Sequence, residues 1–288
     1  MEDRRLVLVS FADRRYRNAM KRLEGYTEKF PFTERHFCDE TNTFDKKYWR
    51  KLKPWLYRRG YGYWEWKGLV MKKYLEQLDE GDFLVWSDVG VYWNDTEKAL
   101  GRFGEYLNML GNGVDVVAFQ EPYIEQEWTK GDLLDYYKLY DNDAICKSLQ
   151  LWSGAFILRK STSTIKLVDE WAHVNMRKLE LETDKRSSKP NKIGFKEHRH
   201  DQSSFSVLVK QMPHVEISYR ETQVKDRSNP SAWKSLVDYP IQARRHKLNA
   251  RPFSEVIKNK LLRPWRMFLN FYFRKIRNYE IAGTQYPW

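Results

Sequence analysis

Runs of Leu, Val, Phe and Trp bounded by polar residues recur along the chain, and their spacing shifts between the two periods of regular structure. Arg5 to Ala12, rich in Leu and Val, predicts a buried first strand, and Asp13 to Gly25 a helix after it. Thr33 to Cys38 predicts a second strand, and residues 39 to 58, polar and aromatic without a period, a loop with a short helix. From Gly68 to Leu78 the apolar positions Leu69, Val70, Tyr74, Leu75 and Leu78 recur at helical spacing, and Asp79-Glu80-Gly81-Asp82 closes that helix. The apolar run Phe83-Leu84-Val85-Trp86 follows as a strand, so a strand, a helix and a strand succeed one another and parallel pairing is expected.

Further on, Thr96 to Leu110 reads as a helix stopped by Gly111-Asn112-Gly113, and Val114 to Phe119 as a strand. Leu133 to Tyr140 reads as a helix, Trp152 to Leu158 as a strand, and Ser163 to about Leu181 as one long helix. Residues 182 to 197 are polar and carry the turn signals of a loop, expected to be mobile. The whole predicts an α/β fold with no internal repeat.

With 288 residues, 41% hydrophobic and 31% charged, the chain can bury a core and stay soluble, which argues against disorder. Its two cysteines, Cys38 and Cys146, are too few for a disulfide framework and lack metal-finger spacing, which suits a reducing compartment. No segment of signal-peptide type opens the sequence, and none reaches the roughly 18 apolar residues that span a bilayer. A cytoplasmic location is the expectation.

The charge is unevenly spread. Residues 243 to 278 hold 11 Lys and Arg against Glu255 alone, a net of +10 out of the chain's +12. Large apolar residues such as Phe253, Leu261, Trp265, Phe268 and Phe271 alternate with them, and Pro264 divides the stretch into two short helical pieces. Basic side chains interleaved with apolar ones suit the headgroup layer of an anionic membrane. They also suit helices packed on the protein body with their charges in water. A nucleic-acid binder would spread its basic surface over the folded body, so no nucleic-acid partner is expected. The expected division is 1–242, a folded α/β domain, and 243–288, a basic aromatic helical segment expected to lie peripherally at the inner membrane face.

The densest chemistry lies in residues 59 to 94, where Arg-Gly-Tyr-Gly-Tyr-Trp-Glu-Trp-Lys leads into the helix, and the helix into the strand that ends at Ser87 and Asp88. In an open α/β sheet, ligands sit beyond the carboxyl ends of the strands, so Asp88 is expected to face a crevice. Gly60 and Gly62 let a backbone approach a ligand closely, and Arg59 and Lys67 are candidates for phosphate oxygens. Trp64 and Trp66 are expected to pack rather than to stack on a ligand.

This block resembles bacterial-type glycosyltransferases of the GT-A fold, which carry a run like Arg-Gly-Tyr-Gly-Tyr-Trp-x-Trp-Lys, a helix, and a strand ending in Asp-x-Gly. The likeness extends to Leu6–Ala12, Glu127–Asp132, Gln150–Phe156 and His198–Ser203, and so touches most of residues 4 to 210. Where many GT-A enzymes have Asp-x-Asp, the third position here is Gly90. The resemblance implies a GT-A-like, mostly parallel sheet flanked by helices and a hexosyltransferase using a nucleotide-diphosphate sugar. It implies Mn²⁺ or Mg²⁺ on Asp88, and a glycan or lipid-linked acceptor at a membrane, as in polysaccharide biosynthesis.

On that resemblance Ser10, Phe11 and Ala12 face the nucleotide, together with Gly62, Ser87 and Gly90. Lys130 joins Arg59 and Lys67 on the phosphates, and Gln150, Ser153 and Gly154 border the sugar, beneath a loop that closes over the donor. Asp201 is a candidate general base on the acceptor hydroxyl or a partner of His200 in a metal shell, and Gln202 a contact at the reacting face. A rival reading is a metal-dependent nuclease or phosphohydrolase using His198-Arg199-His200-Asp201 as its cage. Another is a non-catalytic module whose basic tail is the working part.

Overall fold

The computed structural model describes residues 4–44 and 59–244. The basic segment 243–278 therefore falls almost wholly outside the described residues, as does the short helix expected between 39 and 58.

Six strands form the central sheet: β1 (Leu6–Phe11), β2 (Glu34–Cys38), β3 (Phe83–Ser87), β5 (Val116–Ile124), β6 (Leu149–Arg159) and β7 (Val215–Ile217), in the order β2-β1-β3-β6-β5-β7. β1 pairs in parallel with β2 and β3, and β5 with β7. Only β6 runs against its neighbours β3 and β5. The sheet is mostly parallel, as the sequence predicts. A small ribbon of β4 (Tyr92–Trp93) and β8 (Ile241–Gln242) lies apart.

Side chains alternate across the strands and build two cores. Val7, Val9, Leu84, Trp86, Phe156 and Leu158 face one side. There they meet α2 (Lys67–Leu75), α5 (Thr162–Arg177) and α6 (Asp201–Val209) through Val70, Trp171 and Phe205. Leu6, Leu8, Phe83, Val85, Ala155 and Ile157 face the other side, against α1 (Arg17–Tyr26) and α3 (Glu97–Asn108) through Leu23, Phe103 and Tyr106. Because helices cover both faces, these strands read as continuous apolar runs rather than as half-polar ones. Local signals set the helix starts: Thr96 caps α3 by accepting from Ala99 N, and Ser161 opens α5 in a capping box with Thr164.

Several boundaries differ from expectation. The long helix expected over 163–181 breaks at Lys178, whose backbone leaves the helical region, and a short turn Leu179–Glu182 follows. The 182–197 loop is irregular, but it is tied to the helix α4 (Gly131–Tyr136): Ser188 N and Lys189 N donate to the Asp132 carboxylate, and Asn191 Oδ1 accepts from Gly131 N. Cys38 and Cys146 are both buried free thiols. Among the described residues no helix is long and apolar enough to cross a membrane.

The direction of winding reverses between β1 and β3: the chain leaves β1 for β2 on one side and leaves β3 for the other half of the sheet. Such a switch point opens a crevice at the carboxyl ends of the two strands. Ala12 and Asp88 stand at its lips.

Candidate functional site

The Arg-Gly-Tyr-Gly-Tyr-Trp run folds as a left-handed turn. Gly60, Tyr61, Gly62, Tyr63 and Trp64 have φ of 56°, 55°, 104°, 56° and 59° in succession. Glycine adopts this conformation freely, whereas for other residues it costs roughly 1–2 kcal/mol each. His200, just before α6, is also held at φ 56°, so four of the six non-glycine residues with positive φ among the described residues lie in this turn and in that histidine. Strain of this kind persists only where surrounding contacts over-determine it, and it concentrates at functional sites.

The contacts are present. Arg59 reaches Asp184 at 3.1 Å and Glu197 at 2.7 Å, and Tyr63 Oη donates to Asp184 at 2.8 Å. Trp66 Nε1 donates to Gly60 O at 3.0 Å. The Trp64 ring stacks on His200 with centroids 5.5 Å apart and planes 18° apart. Trp66 packs on Phe11 at 4.2 Å and is buried, in line with the packing role read for it.

The turn delivers Lys67 to the start of α2, and its ammonium goes beneath the strand ends. Lys67 Nζ donates to Ser153 O at 2.7 Å and Asp88 Oδ1 at 3.1 Å, and lies 3.3 Å from Asp201 Oδ2, with its side chain 1% exposed. Asp88 Oδ1 also accepts from Trp86 Nε1 at 2.8 Å, while the Asp88 side chain remains 41% exposed. Asp201 is buried, and Ser153 Oγ donates to its Oδ2 at 3.0 Å. Burial pushes the Asp201 carboxyl above its usual range, and the Lys67 ammonium pulls it part of the way back. One lysine thus joins the end of β3, the middle of β6 and the start of α6.

Behind this centre is a layer of satisfied polar groups. Gln150, fully buried, donates to Glu125 Oε1 at 3.0 Å, Thr129 Oγ1 at 3.2 Å and Ser203 Oγ at 3.3 Å, and accepts from Gln202 Nε2 at 2.7 Å. Glu125 is completed by Ser206 Oγ and by Lys210 Nζ at 2.7 Å. Glu125 lies in a run without periodicity, so the sequence did not single it out. Nor did it single out Glu182, wholly buried, which burial pushes up to about 8. Burial also lowers Lys130 to about 8, and its ammonium donates to the carbonyls of Glu180 and Thr183.

Several of the expected ligand contacts have protein partners instead. Lys67 Nζ lies among Ser153 O, Asp88 Oδ1 and Asp201 Oδ2, and Lys130 Nζ donates to the carbonyls of Glu180 and Thr183, rather than standing free at the crevice. Arg59 is forked between two carboxylates. Gln150 lies in the interior. Gly154 accommodates the Trp152 indole, which a Cβ would meet at 2.3 Å, rather than a ligand. Ser10 is fully buried, and Ser87 Oγ accepts from Trp93 Nε1 at 3.0 Å. Gly90 has open space around it and a negative φ, so neither crowding nor backbone conformation demands a glycine there.

Nor does the metal shell form. His200 Nδ1 bonds Glu182 O at 2.6 Å, and burial holds the ring well below its usual pKa. The carboxylate beside its Nε2 is Asp184, at 3.7 Å, so His200 and Asp88 belong to different clusters. His198 Nδ1 accepts from Lys130 N, Arg199 lies over the Trp128 ring at 4.1 Å, and Asp201 turns to Lys67, so the His-Arg-His-Asp run is not a cage. Among the described residues no group of three or more His, Cys, Asp and Glu side chains is placed to hold a metal ion. These residues do not fit a divalent cation shared by Asp88 and His200.

At the carboxyl ends of β1 and β2 lies a hollow of about 200 Å³, lined by Ala12, Arg17, Lys21, Phe37, Cys38 and Asp39 among others. A second hollow, about 500 Å³ at Lys98, Arg102 and Tyr239, includes none of the carboxylates of the centre.

By sequence the chain matches no family model and no curated protein. By fold it is similar to solved glycosyltransferases. The galactosyltransferase LgtC, in complex with donor and acceptor sugar analogs, aligns with a TM-score of 0.46 at 10% identity, covering 98% of this chain and 98% of that one. A glycosyltransferase involved in the glycosylation of the major capsid of PBCV-1 aligns with a TM-score of 0.45 at 10% identity over 88% of this chain and 99% of that one. Mouse xyloside xylosyltransferase 1 gives 0.44 at 11% identity over 82% and 93%. At such identities the likeness is one of fold.

Proposed function

We propose that this protein is a glycosyltransferase that moves a hexosyl group from a nucleotide-diphosphate sugar to a glycan or lipid-linked acceptor. The observation that carries the reading is Asp88: a carboxylate with an exposed face, at the lip of the switch point, locked from behind by Lys67 and Trp86 and next to a strained aromatic turn. The hollow at β1 and β2 suits a nucleoside, with Asp39 for ribose hydroxyls and Arg17 and Lys21 for phosphate. In the transfer, the acceptor hydroxyl oxygen bonds to the anomeric carbon as the bond to the diphosphate breaks; the electron pair departs on the phosphate oxygen, and the hydroxyl proton passes to the departing diphosphate. The exposed side of Asp88 is the carboxylate surface available to a sugar hydroxyl. Lys67, itself held by Ser153 O and Asp201, stands behind it and fixes its place, while Gln202 bonds Gln150 in the layer below.

Two findings test the reading. A diphosphate nucleotide such as UDP or GDP at about 100-fold over its Kd raises Tm by about 5 °C. A panel of nucleotide sugars identifies one that is slowly hydrolysed without acceptor, and Asp88→Asn lowers that rate about a hundredfold with the fold intact. A full panel with neither stabilisation nor hydrolysis refutes the transferase. The basic residues of 243–278 are proposed to hold the enzyme peripherally on an anionic, cytoplasmic-side membrane where a lipid-linked acceptor resides.

A further inference from the structure

We infer that Lys67 is the resident cation of this site: its ammonium takes the place between Asp88 and Asp201 that a divalent ion would otherwise fill, and sugar transfer proceeds without one. This rests on the transferase reading above. The Nζ of Lys67 has three N–H donors, and three acceptors lie at 2.7, 3.1 and 3.3 Å: Ser153 O, Asp88 Oδ1 and Asp201 Oδ2. It also sits 5.0 Å from the centre of the Trp86 ring. The group is 1% exposed, so these partners offset its burial; buried Asp201 is in turn partnered by it, while Asp88 keeps a face in water.

Mg²⁺ demands near-octahedral oxygen ligation, and Mn²⁺ takes similar oxygen donors. Here Asp88 Oδ1 is already committed to two donors, and Gly90 supplies no second carboxylate although its surroundings would admit a side chain. The lysine is held by α2, whose Gly68 lies so close to α5 that a Cβ would approach Ala172 Cα to 2.7 Å. Lys67 is thus a positioning residue with a fixed charge rather than a mobile arm.

The test is a Mn²⁺ titration of the full-length protein, followed by the electron paramagnetic resonance signal of free Mn²⁺. Wild-type protein shows no Mn²⁺ affinity that Asp88→Asn changes. Lys67→Ala, which leaves two neighbouring carboxylates without their cation, binds Mn²⁺ at least tenfold more tightly than wild type, and Lys67→Ala/Asp88→Asn loses the gain. Lys67→Arg keeps the charge and gains nothing. Wild-type Mn²⁺ binding that Asp88→Asn weakens tenfold, or a folded Lys67→Ala without any gain, overturns the assignment. If Lys67→Ala does not fold, the comparison of wild type with Asp88→Asn decides, together with transfer in excess EDTA, expected within twofold of the untreated rate. A protein that behaves as expected toward Mn²⁺ yet turns over no nucleotide sugar overturns the transferase reading alone. A protein that transfers sugar but holds Mn²⁺ through Asp88 overturns the lysine assignment alone.

Discussion

Gly131 has no room for a side chain: a Cβ there would come within 2.4 Å of Pro190 O and 2.7 Å of Lys189 O, both backbone atoms. Gly131→Ala must therefore push the 183–197 segment off Asp132, and a loss of about 1–3 kcal/mol in urea unfolding is expected. Glu182 makes a different kind of residue-scale prediction. Its folded pKa of about 8 lies above the ordinary 4.5, so between these values the folded chain holds the extra proton, and stability falls as pH rises through that window. His198 and His200 act with the opposite sign, because their depressed values keep them neutral in the folded protein and stability falls as pH drops below about 6.5. Comparing Glu182→Gln with wild type cancels the histidines. The variant's Tm advantage should grow from pH 5 to pH 8, and a difference that stays flat would show that Glu182 titrates normally.

At the scale of elements, α2 and α5 approach through Gly68 and Ala172. Gly68→Ala separates them by forcing backbone against backbone, and it does so one residue from Lys67. The expected result is a loss of about 1–3 kcal/mol in stability and a fall in donor-sugar hydrolysis beyond what the stability loss explains. Activity unchanged in a destabilised variant would show that the lysine tolerates movement of its helix. The helices themselves are readable locally: the period from Leu69 to Leu78 announces α2, Thr96 opens α3 where expected, and the Ser161 cap lies two residues before the expected start of α5. The break at Lys178 is not, because no glycine or proline marks it.

For the whole molecule, the net +10 of residues 243 to 278 predicts adsorption driven by charge. Each Lys or Arg near an anionic surface contributes about 1 kcal/mol, so full-length protein should sediment with vesicles containing phosphatidylserine and not with phosphatidylcholine alone, and 0.5 M salt should release it. Binding to neither kind of vesicle would argue against a membrane role for this segment. The sheet places the candidate site where its winding reverses between β1 and β3, and the apolar runs foretold those strands without foretelling their order.

The sequence by itself determined the α/β class, the parallel pairing of the first strands, the burial of β1 and the position of Asp88 at a strand end, because these follow from periodicity and chain direction. It could not assign partners to charges. Arg59, Lys67 and Lys130 read alike as phosphate ligands, since a cation in a glycine and aromatic context carries no mark of what it will face. Only packing brought Asp201 of α6 and Ser153 of β6 against Lys67, turned Arg59 to Asp184 and Glu197, and buried Lys130 beside Glu182. The strain at Tyr61, Tyr63, Trp64 and His200 was equally hidden, because a left-handed backbone in aromatic residues is imposed by tertiary contacts against their local preference.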